Sequence, residues 1–106
     1  PLLRSLFPIV RASISSRMTA RRLAEQLSVS ESTLTKRFRA ETGLTLGRYL
    51  DSMLMQRARE LLLTDQSIAE IAEQLDFCDQ FYFSRFFRQR QGETPSRYRR
   101  ALKAQL

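Results

Sequence analysis

The sequence predicts an all-α fold of seven helices. Three observations support this prediction: apolar residues recur at helical spacing, helix-capping signals follow one another at short intervals, and no segment shows the pattern of a strand. The 106 residues are 42% hydrophobic and 27% charged, which is the composition of a folded protein and not of a disordered one. This length allows one domain, or two small units that share a core.

An internal repeat organises the seven helices. Residues 24–27 recur as residues 72–75 at an offset of 48, whereas residues 43–49 match residues 92–98 at an offset of 49. The second copy therefore carries one additional residue between positions 75 and 83. We expect that residue to lie in a turn, because an insertion within a helix would rotate everything that follows it.

Each copy is predicted to form a short helix, a tight turn and a longer helix. In the first copy, Ser30 is the predicted N-cap of the longer helix and Gly43 ends it. Leu34 and Phe38 form an apolar pair on its buried face, and Val29 is the buried residue of the turn. The corresponding residues of the second copy are Asp79 and Gly92 at the helix ends, Phe83 and Phe87 as the apolar pair, and Phe77 in the turn.

Three further helices open, join and close the chain. The opening helix has apolar residues at helical spacing, which are Leu6, Val10 and Ile14. We place Pro8 in its first turn because a proline inside a helix costs about 3 kcal/mol. A linker helix over residues 46–63 joins the two copies, and a final helix over about residues 95–103 follows the start signal Thr94-Pro95.

Two helices joined by a tight turn, with polar side chains on the second helix, form a helix-turn-helix arrangement. The predicted organisation is therefore a first helix-turn-helix subdomain over residues 1–45, the long linker helix over residues 46–63, and a second helix-turn-helix subdomain over residues 64–106. The alternative is a plain helical bundle in which the repeat only builds a core.

The distribution of charge favours a nucleic-acid partner. The chain has 18 Lys and Arg against 11 Asp and Glu, a net charge of +7. Residues 1–22 contain five arginines and no acid, residues 80–103 have a net charge of +6, and the intervening residues 41–79 have a net charge of −5. Two basic blocks around an acidic middle steer a protein to a polyanion in one orientation.

Each longer helix presents a polar face once its apolar pair is buried. Side chains of Ser, Thr, Gln, Lys and Arg on such a face can bond base edges in the major groove, and an exposed Phe can touch a thymine methyl group. The predicted base-reading residues are Ser32, Thr35 and Lys36 in the first copy and Gln80, Phe81, Ser84 and Arg85 in the second. The predicted phosphate contacts are Arg39, Arg88, Arg97 and Arg99. We expect Tyr82 and Phe86 to pack against the final helix.

The composition argues against an enzyme and against a metal centre. With no His and one Cys, the chain lacks the residues of a Cys/His zinc site and of a catalytic pair that needs His. We expect no catalytic residue, no metal and no cofactor. Cys78 lies in the second turn, where we expect it to pack as a small hydrophobic residue. No apolar run approaches the roughly 20 residues of a membrane span, so we expect no membrane contact.

The second copy resembles the signature of AraC/XylS-type transcription regulators. The residues that carry the resemblance are Ile68-Ala-Glu-Ile-Ala72, Phe77, Asp79-Gln80, Tyr82-Phe83-Ser84-Arg85, Phe87-Arg88, Gly92-Glu-Thr94-Pro95-Ser96 and Tyr98-Arg99. The first copy matches through Leu23-Ala24, Ser30, Leu34, Phe38, Gly43 and Tyr49-Leu50. Three residues depart from the pattern: Asp76, Leu46 and Leu54 stand where Gly, Pro and Arg are common.

This resemblance implies a DNA-binding domain with two helix-turn-helix units and a rigid linker helix. It assigns base reading to the same seven residues that the helical geometry exposes. It further implies a bacterial promoter as the double-stranded DNA partner, activation through a contact with RNA polymerase, and a nucleoid-associated, cytoplasmic location. An N-terminal sensing or dimerisation domain is expected outside this chain. The remaining alternatives are a nonspecific architectural nucleic-acid binder and a helical protein-interaction bundle.

Overall fold

The computed structural model describes residues 1–106 and contains seven α-helices and no strand, which confirms the predicted fold class. In chain order the helices are α1 (Leu2–Ser13), α2 (Ala20–Gln26), α3 (Glu31–Thr42), α4 (Leu46–Leu62), α5 (Ile68–Gln74), α6 (Gln80–Gln91) and α7 (Pro95–Gln105). The chain divides into two compact units, Pro1–Leu54 and Met55–Leu106, whose boundary lies inside α4. None of the helices is both long enough and apolar enough to cross a membrane.

The first unit packs its helices around one apolar core. Phe38 of α3 is fully buried, and its ring centroid lies 6.4 Å from that of Phe7 in α1 and 5.1 Å from that of Tyr49 in α4. Burial raises the pKa of the Tyr49 hydroxyl. The other buried residues of this core are Leu3, Leu6, Val10, Leu23, Ala24, Leu34, Leu46 and Leu50. Because Leu34 and Phe38 both point inward, the core determines which face of α3 remains outside.

The opening helix differs from the prediction for Pro8. The helix α1 begins at Leu2, so Pro8 lies inside it and not in its first turn, and Ile14 follows the helix as its C-cap. A helix with Pro8 in its first turn would begin after Leu3, whereas here Leu3 and Leu6 both lie in the helix and are buried. Burial of one such side chain is worth about 1.5–3 kcal/mol, so the pair offsets the cost of about 3 kcal/mol for an interior proline.

The second unit has an aromatic core around Phe77, the buried residue of its turn. The Phe77 ring centroid lies 5.5 Å from Tyr82, 5.2 Å from Phe83 and 5.2 Å from Phe86. Tyr82 and Phe86 thus contact the buried ring of the turn, whereas their predicted packing against the final helix stays a prediction. An aromatic contact with α7 comes from Phe87, whose ring centroid lies 5.4 Å from that of Tyr98.

Local capping signals start and end α3 and α6 where the sequence predicts. The Ser30 Oγ accepts a hydrogen bond from the Thr33 amide at 3.1 Å at the start of α3. Before α5, Ser67 and Glu70 form a reciprocal capping box, and the hydrogen bonds from Ser67 lower the pKa of the Glu70 carboxyl group. The left-handed residues that end α3 and α6 are the predicted glycines, Gly43 with φ +80° and Gly92 with φ +92°.

The two helix-turn-helix turns share a backbone conformation that non-glycine residues rarely adopt. Ser28 and Asp76 occupy equivalent positions of the repeat, and their φ angles are +58° and +63°. Asp76 stands where glycine is common in the family that the sequence resembles. It nevertheless takes the left-handed conformation, which aspartate tolerates better than most other non-glycine residues.

The inserted residue of the second copy lies in its turn, as predicted. In both copies the residue after the left-handed position donates its amide to the first helix; these bonds are Val29 N to Ala24 O at 3.0 Å and Phe77 N to Ala72 O at 2.9 Å. Because Asp79 already caps α6, the additional residue is Cys78. Cys78 is exposed, so the expectation that it packs as a hydrophobic residue is wrong. Phe77 occupies the buried place in this turn instead.

Candidate nucleic-acid interface

The outer face of α3 carries the residues predicted to read bases in the first unit. Because Leu34 and Phe38 are fully buried, the polar side chains on the opposite side of the helix face solvent. The predicted contact residues exposed on α3 are Ser32, Lys36 and Arg39. Thr35 is half-buried, and its hydroxyl donates to the carbonyl oxygen of Glu31 at 3.1 Å. This bond leaves the hydroxyl lone pairs and the methyl group of Thr35 to meet a base.

A cleft lies beside the polar face of α3. Its volume is about 510 Å³, and it is lined by Thr35, Lys36, Arg39 and Ala40 of α3 and by Thr45, Leu46 and Gly47 at the start of α4. Lys36 and Arg39 therefore bring two positive charges to one opening. This arrangement suits a base contact and a phosphate contact made side by side.

The outer face of α6 carries the predicted base-reading residues of the second unit. Phe83 and Phe87 are fully buried, whereas Phe81 on the opposite side is 65% exposed, so Phe81 is not a core residue. Arg85 is also exposed, and the other two predicted readers are half-buried, namely Gln80 and Ser84. At the start of the helix, the Asp79 Oδ1 accepts a hydrogen bond from the Tyr82 amide at 2.8 Å.

Most of the positively charged side chains predicted to contact DNA are exposed to solvent. Three of the four predicted phosphate contacts are exposed, and they are Arg39, Arg88 and Arg97. The ion pairs Arg21–Glu25 and Arg57–Glu60 involve none of these three arginines. They do not involve Lys36 or Arg85 either. An unpaired surface cation can displace the counterions of a phosphate without first breaking a salt bridge.

The fourth predicted phosphate contact, Arg99, has a different position. Its side chain is half-buried, and its Nε donates a hydrogen bond at 3.0 Å to the carbonyl oxygen of Leu62, the last residue of α4. The carbonyl groups at the end of a helix lack partners within that helix, so this bond satisfies one of them. Arg99 thus contacts the end of α4, and it is less exposed than the other three predicted phosphate contacts.

Two contacts around α6 were not predicted. The Arg59 Nη1 of α4 donates to the Gln91 Oε1 at the end of α6 at 3.0 Å, and the Arg85 Cζ lies 5.9 Å from the centroid of the Tyr82 ring. The first contact joins residues 32 apart, a separation for which the sequence holds no signal. The second joins residues one helical turn apart, so the spacing Tyr-x-x-Arg was a usable signal.

Comparison with known proteins agrees with this geometry. A family model described as a helix-turn-helix domain matches residues 23–101. The chain is 36% identical over 104 residues to the HTH-type transcriptional activator RhaR of Klebsiella pneumoniae, and the match covers 97% of this chain and 37% of RhaR. The chain therefore spans little more than a third of the length of this relative.

Solved structures show the same fold. The C-terminal domain of AraT, a response regulator from Geobacillus stearothermophilus, matches with a TM-score of 0.85 at 33% identity, over 95% of this chain and 85% of that one. The DNA-binding domain of AdpA, a global transcriptional factor in complex with a target DNA, matches with a TM-score of 0.83 at 26% identity, over 99% of this chain and 95% of that one. The repeat, the fold and these relatives together show that the chain belongs to the AraC-type helix-turn-helix family of DNA-binding transcription regulators.

Proposed function

We propose that the chain is the sequence-specific DNA-binding part of a bacterial transcription regulator, and that both of its units read bases in the major groove. One observation carries this proposal: α3 and α6 each bury an apolar pair and expose an unpaired cation among polar side chains. The cation is Lys36 in α3 and Arg85 in α6. Because the two faces carry different side chains, we expect the DNA site of one chain to be asymmetric.

The chemistry of the exposed side chains suggests their partners on DNA. Arg85 suits the O6 and N7 atoms of guanine, Gln80 suits the N6 and N7 atoms of adenine, and Phe81 suits the methyl group of thymine. Short hydroxyl side chains and a lysine can serve several bases, and those proposed here are Ser32, Thr35, Ser84 and Lys36. The proposed phosphate contacts are Arg39, Arg88 and Arg97. Arg99 is left out because its Nε donates a hydrogen bond to the carbonyl oxygen of Leu62.

We propose that α4 is the linker between a first subdomain over residues 1–45 and a second over residues 64–106. Two major-groove segments on the same side of DNA lie about one turn apart, roughly 34 Å, and we expect the two units to read such a pair of segments. Where straight DNA does not present both segments to the protein, bending it would cost about 1–6 kcal/mol.

The role at a promoter is proposed by analogy with the relatives. RhaR is an HTH-type transcriptional activator, and this chain matches 37% of its length. We propose activation as the role of this chain too, with a contact to RNA polymerase and with a sensing or dimerisation domain in the part of the regulator outside these residues. The expected location is the nucleoid in the cytoplasm. Membership of this family supports DNA recognition as the activity of the chain, and it does not support catalysis.

Competition between a selected site and random duplex DNA tests this proposal. Sequences bound by the chain are enriched from a random pool, and affinities for the enriched site and for random DNA are then compared at one fixed salt concentration. We expect the enriched site to bind at least about 10³-fold more tightly. A Lys36→Ala/Arg85→Ala double variant, as the control, should bind both DNAs with nearly equal affinity.

The same assay separates the proposal from its alternatives. A nonspecific architectural binder would give nearly equal affinities for the two DNAs, with a steep dependence on salt. A protein-interaction bundle would show no DNA affinity for Lys36 or Arg85 to alter. Either result for the unmodified chain would contradict sequence-specific recognition.

A further inference from the structure

A tyrosine ring supports the guanidinium of Arg85. The Arg85 Cζ lies 5.9 Å from the Tyr82 ring centroid, within the roughly 6 Å over which an aromatic face attracts a cation. Arg85 does not take part in the ion pairs Arg21–Glu25 and Arg57–Glu60. The ring is therefore the group that favours one position of this guanidinium before DNA arrives.

The Tyr82 ring is itself fixed by the turn. It is 47% exposed, and it packs with the Phe77 ring in a T-shaped arrangement, with centroids 5.5 Å apart and planes at 90°. Phe77 is only 7% exposed and belongs to the aromatic core of the second unit. A continuous series of contacts thus runs from the buried turn through Tyr82 to Arg85 on the outer face of α6.

The first unit has no equivalent support. At the repeat offset of 49 residues, Tyr82 corresponds to Thr33 and Arg85 corresponds to Lys36. The Thr33 Oγ1 accepts a hydrogen bond from the Ser30 hydroxyl at 2.8 Å, and a threonine offers no aromatic face. Lys36 is a point charge on a flexible stem, whereas a guanidinium that forms two parallel hydrogen bonds must hold its plane.

We propose that Tyr82 is a positioning residue for base recognition: it preorganises the Arg85 guanidinium, so that the second unit discriminates its base pair more sharply than the first. This inference rests on the proposed function, because it requires Arg85 to read a base. The physical reason is entropic. A side chain held near its bound position before association loses less conformational freedom when the complex forms.

Substitutions at Tyr82 separate the ring from the hydroxyl group. Tyr82→Phe keeps the ring, and we expect it to keep the preference for the base pair that Arg85 reads. Tyr82→Leu removes the aromatic face, and we expect that preference to fall roughly two- to fivefold while affinity for random DNA stays the same. In an Arg85→Ala background, Tyr82→Leu should change the preference no further. The measurement compares affinities for the enriched site and for the same site with that base pair exchanged.

A second readout needs no DNA. In free protein the side-chain protons of Arg85 should show an upfield NMR shift from the ring current of Tyr82. Tyr82→Phe should retain this shift and Tyr82→Leu should remove it, while thermal unfolding reports whether each variant is folded. If Tyr82→Leu does not fold, Tyr82→Gln replaces it, because glutamine suits a half-exposed helical position and lacks a ring.

The outcomes distinguish this inference from the proposed function. If the unmodified chain shows no base preference, both fail. If it shows a preference that Tyr82→Leu leaves intact, only the positioning role of Tyr82 is overturned. A uniform loss of affinity for all sequences with Tyr82→Phe would assign the residue to a phosphate contact through its hydroxyl and would likewise overturn the proposal.

Discussion

A Phe87→Ala substitution will lower the free energy of unfolding by about 3–5 kcal/mol, the usual cost of removing a buried aromatic side chain. Phe87 is fully buried in the second unit, where its ring lies 6.0 Å from that of Phe83 and 5.4 Å from that of Tyr98. It is the aromatic contact between α6 and α7, so a cavity at this position would loosen the helix that presents Arg85. Urea denaturation of the chain and the variant measures the difference.

Phe81→Ala is the matched control, because the same substitution then occurs on the opposite face of the same helix. Phe81 is 65% exposed, so its loss should change the free energy of unfolding by less than about 0.5 kcal/mol. We expect it to weaken instead the preference for one thymine-containing base pair. A Phe81→Ala protein that lost several kcal/mol of stability and kept its sequence preference would contradict the assignment of Phe81 to the groove.

Arg85→Ala will relax the choice of one base pair and will cost about 1–3 kcal/mol of binding free energy at the enriched site. The exposed guanidinium can form two parallel hydrogen bonds with guanine, and no ion pair within the chain competes for it. Removing it therefore removes information about a particular base. Affinities for the enriched site and for each of its three exchanges at that base pair measure the effect.

Arg88→Ala provides the comparison within the same helix. Arg88 is an exposed arginine that we assign to a phosphate, so its loss should weaken binding to all sequences alike. It should also reduce the slope of log affinity against log salt by about 1. If Arg85→Ala behaved in the same way, with equal losses on the enriched site and on random DNA, then Arg85 would be a phosphate contact and the base assignment would be wrong.

Much of the fold could be predicted because its signals are local. Ser30, Gly43 and Gly92 mark helix ends through their own hydrogen bonds or backbone angles, and the structure places them where the sequence predicts. The apolar pairs of α3 and α6 likewise indicate which faces of these helices are buried. The exposed polar faces can then be predicted, because a side chain opposite a buried pair is directed to solvent.

The errors arose where distant residues decide the outcome. Pro8 disfavours a helix locally, and the burial of Leu3 and Leu6 in the core offsets that cost in α1. The position of Arg99 likewise depends on a distant group, because its Nε donates a hydrogen bond to the carbonyl oxygen of Leu62, 37 residues away. Cys78 is exposed because the neighbouring phenylalanine fills the turn. The spacing of residues along the sequence does not show which distant residues a side chain will contact.

Selection from random DNA with single-site variants tests most directly whether both units read sequence. The unmodified chain should enrich a site of two different segments with centres about 10 base pairs apart. Lys36→Ala should remove sequence information from one segment only, and Arg85→Ala from the other only. Enrichment of one segment alone, or loss of information in the same segment with both variants, would contradict recognition by two tandem units.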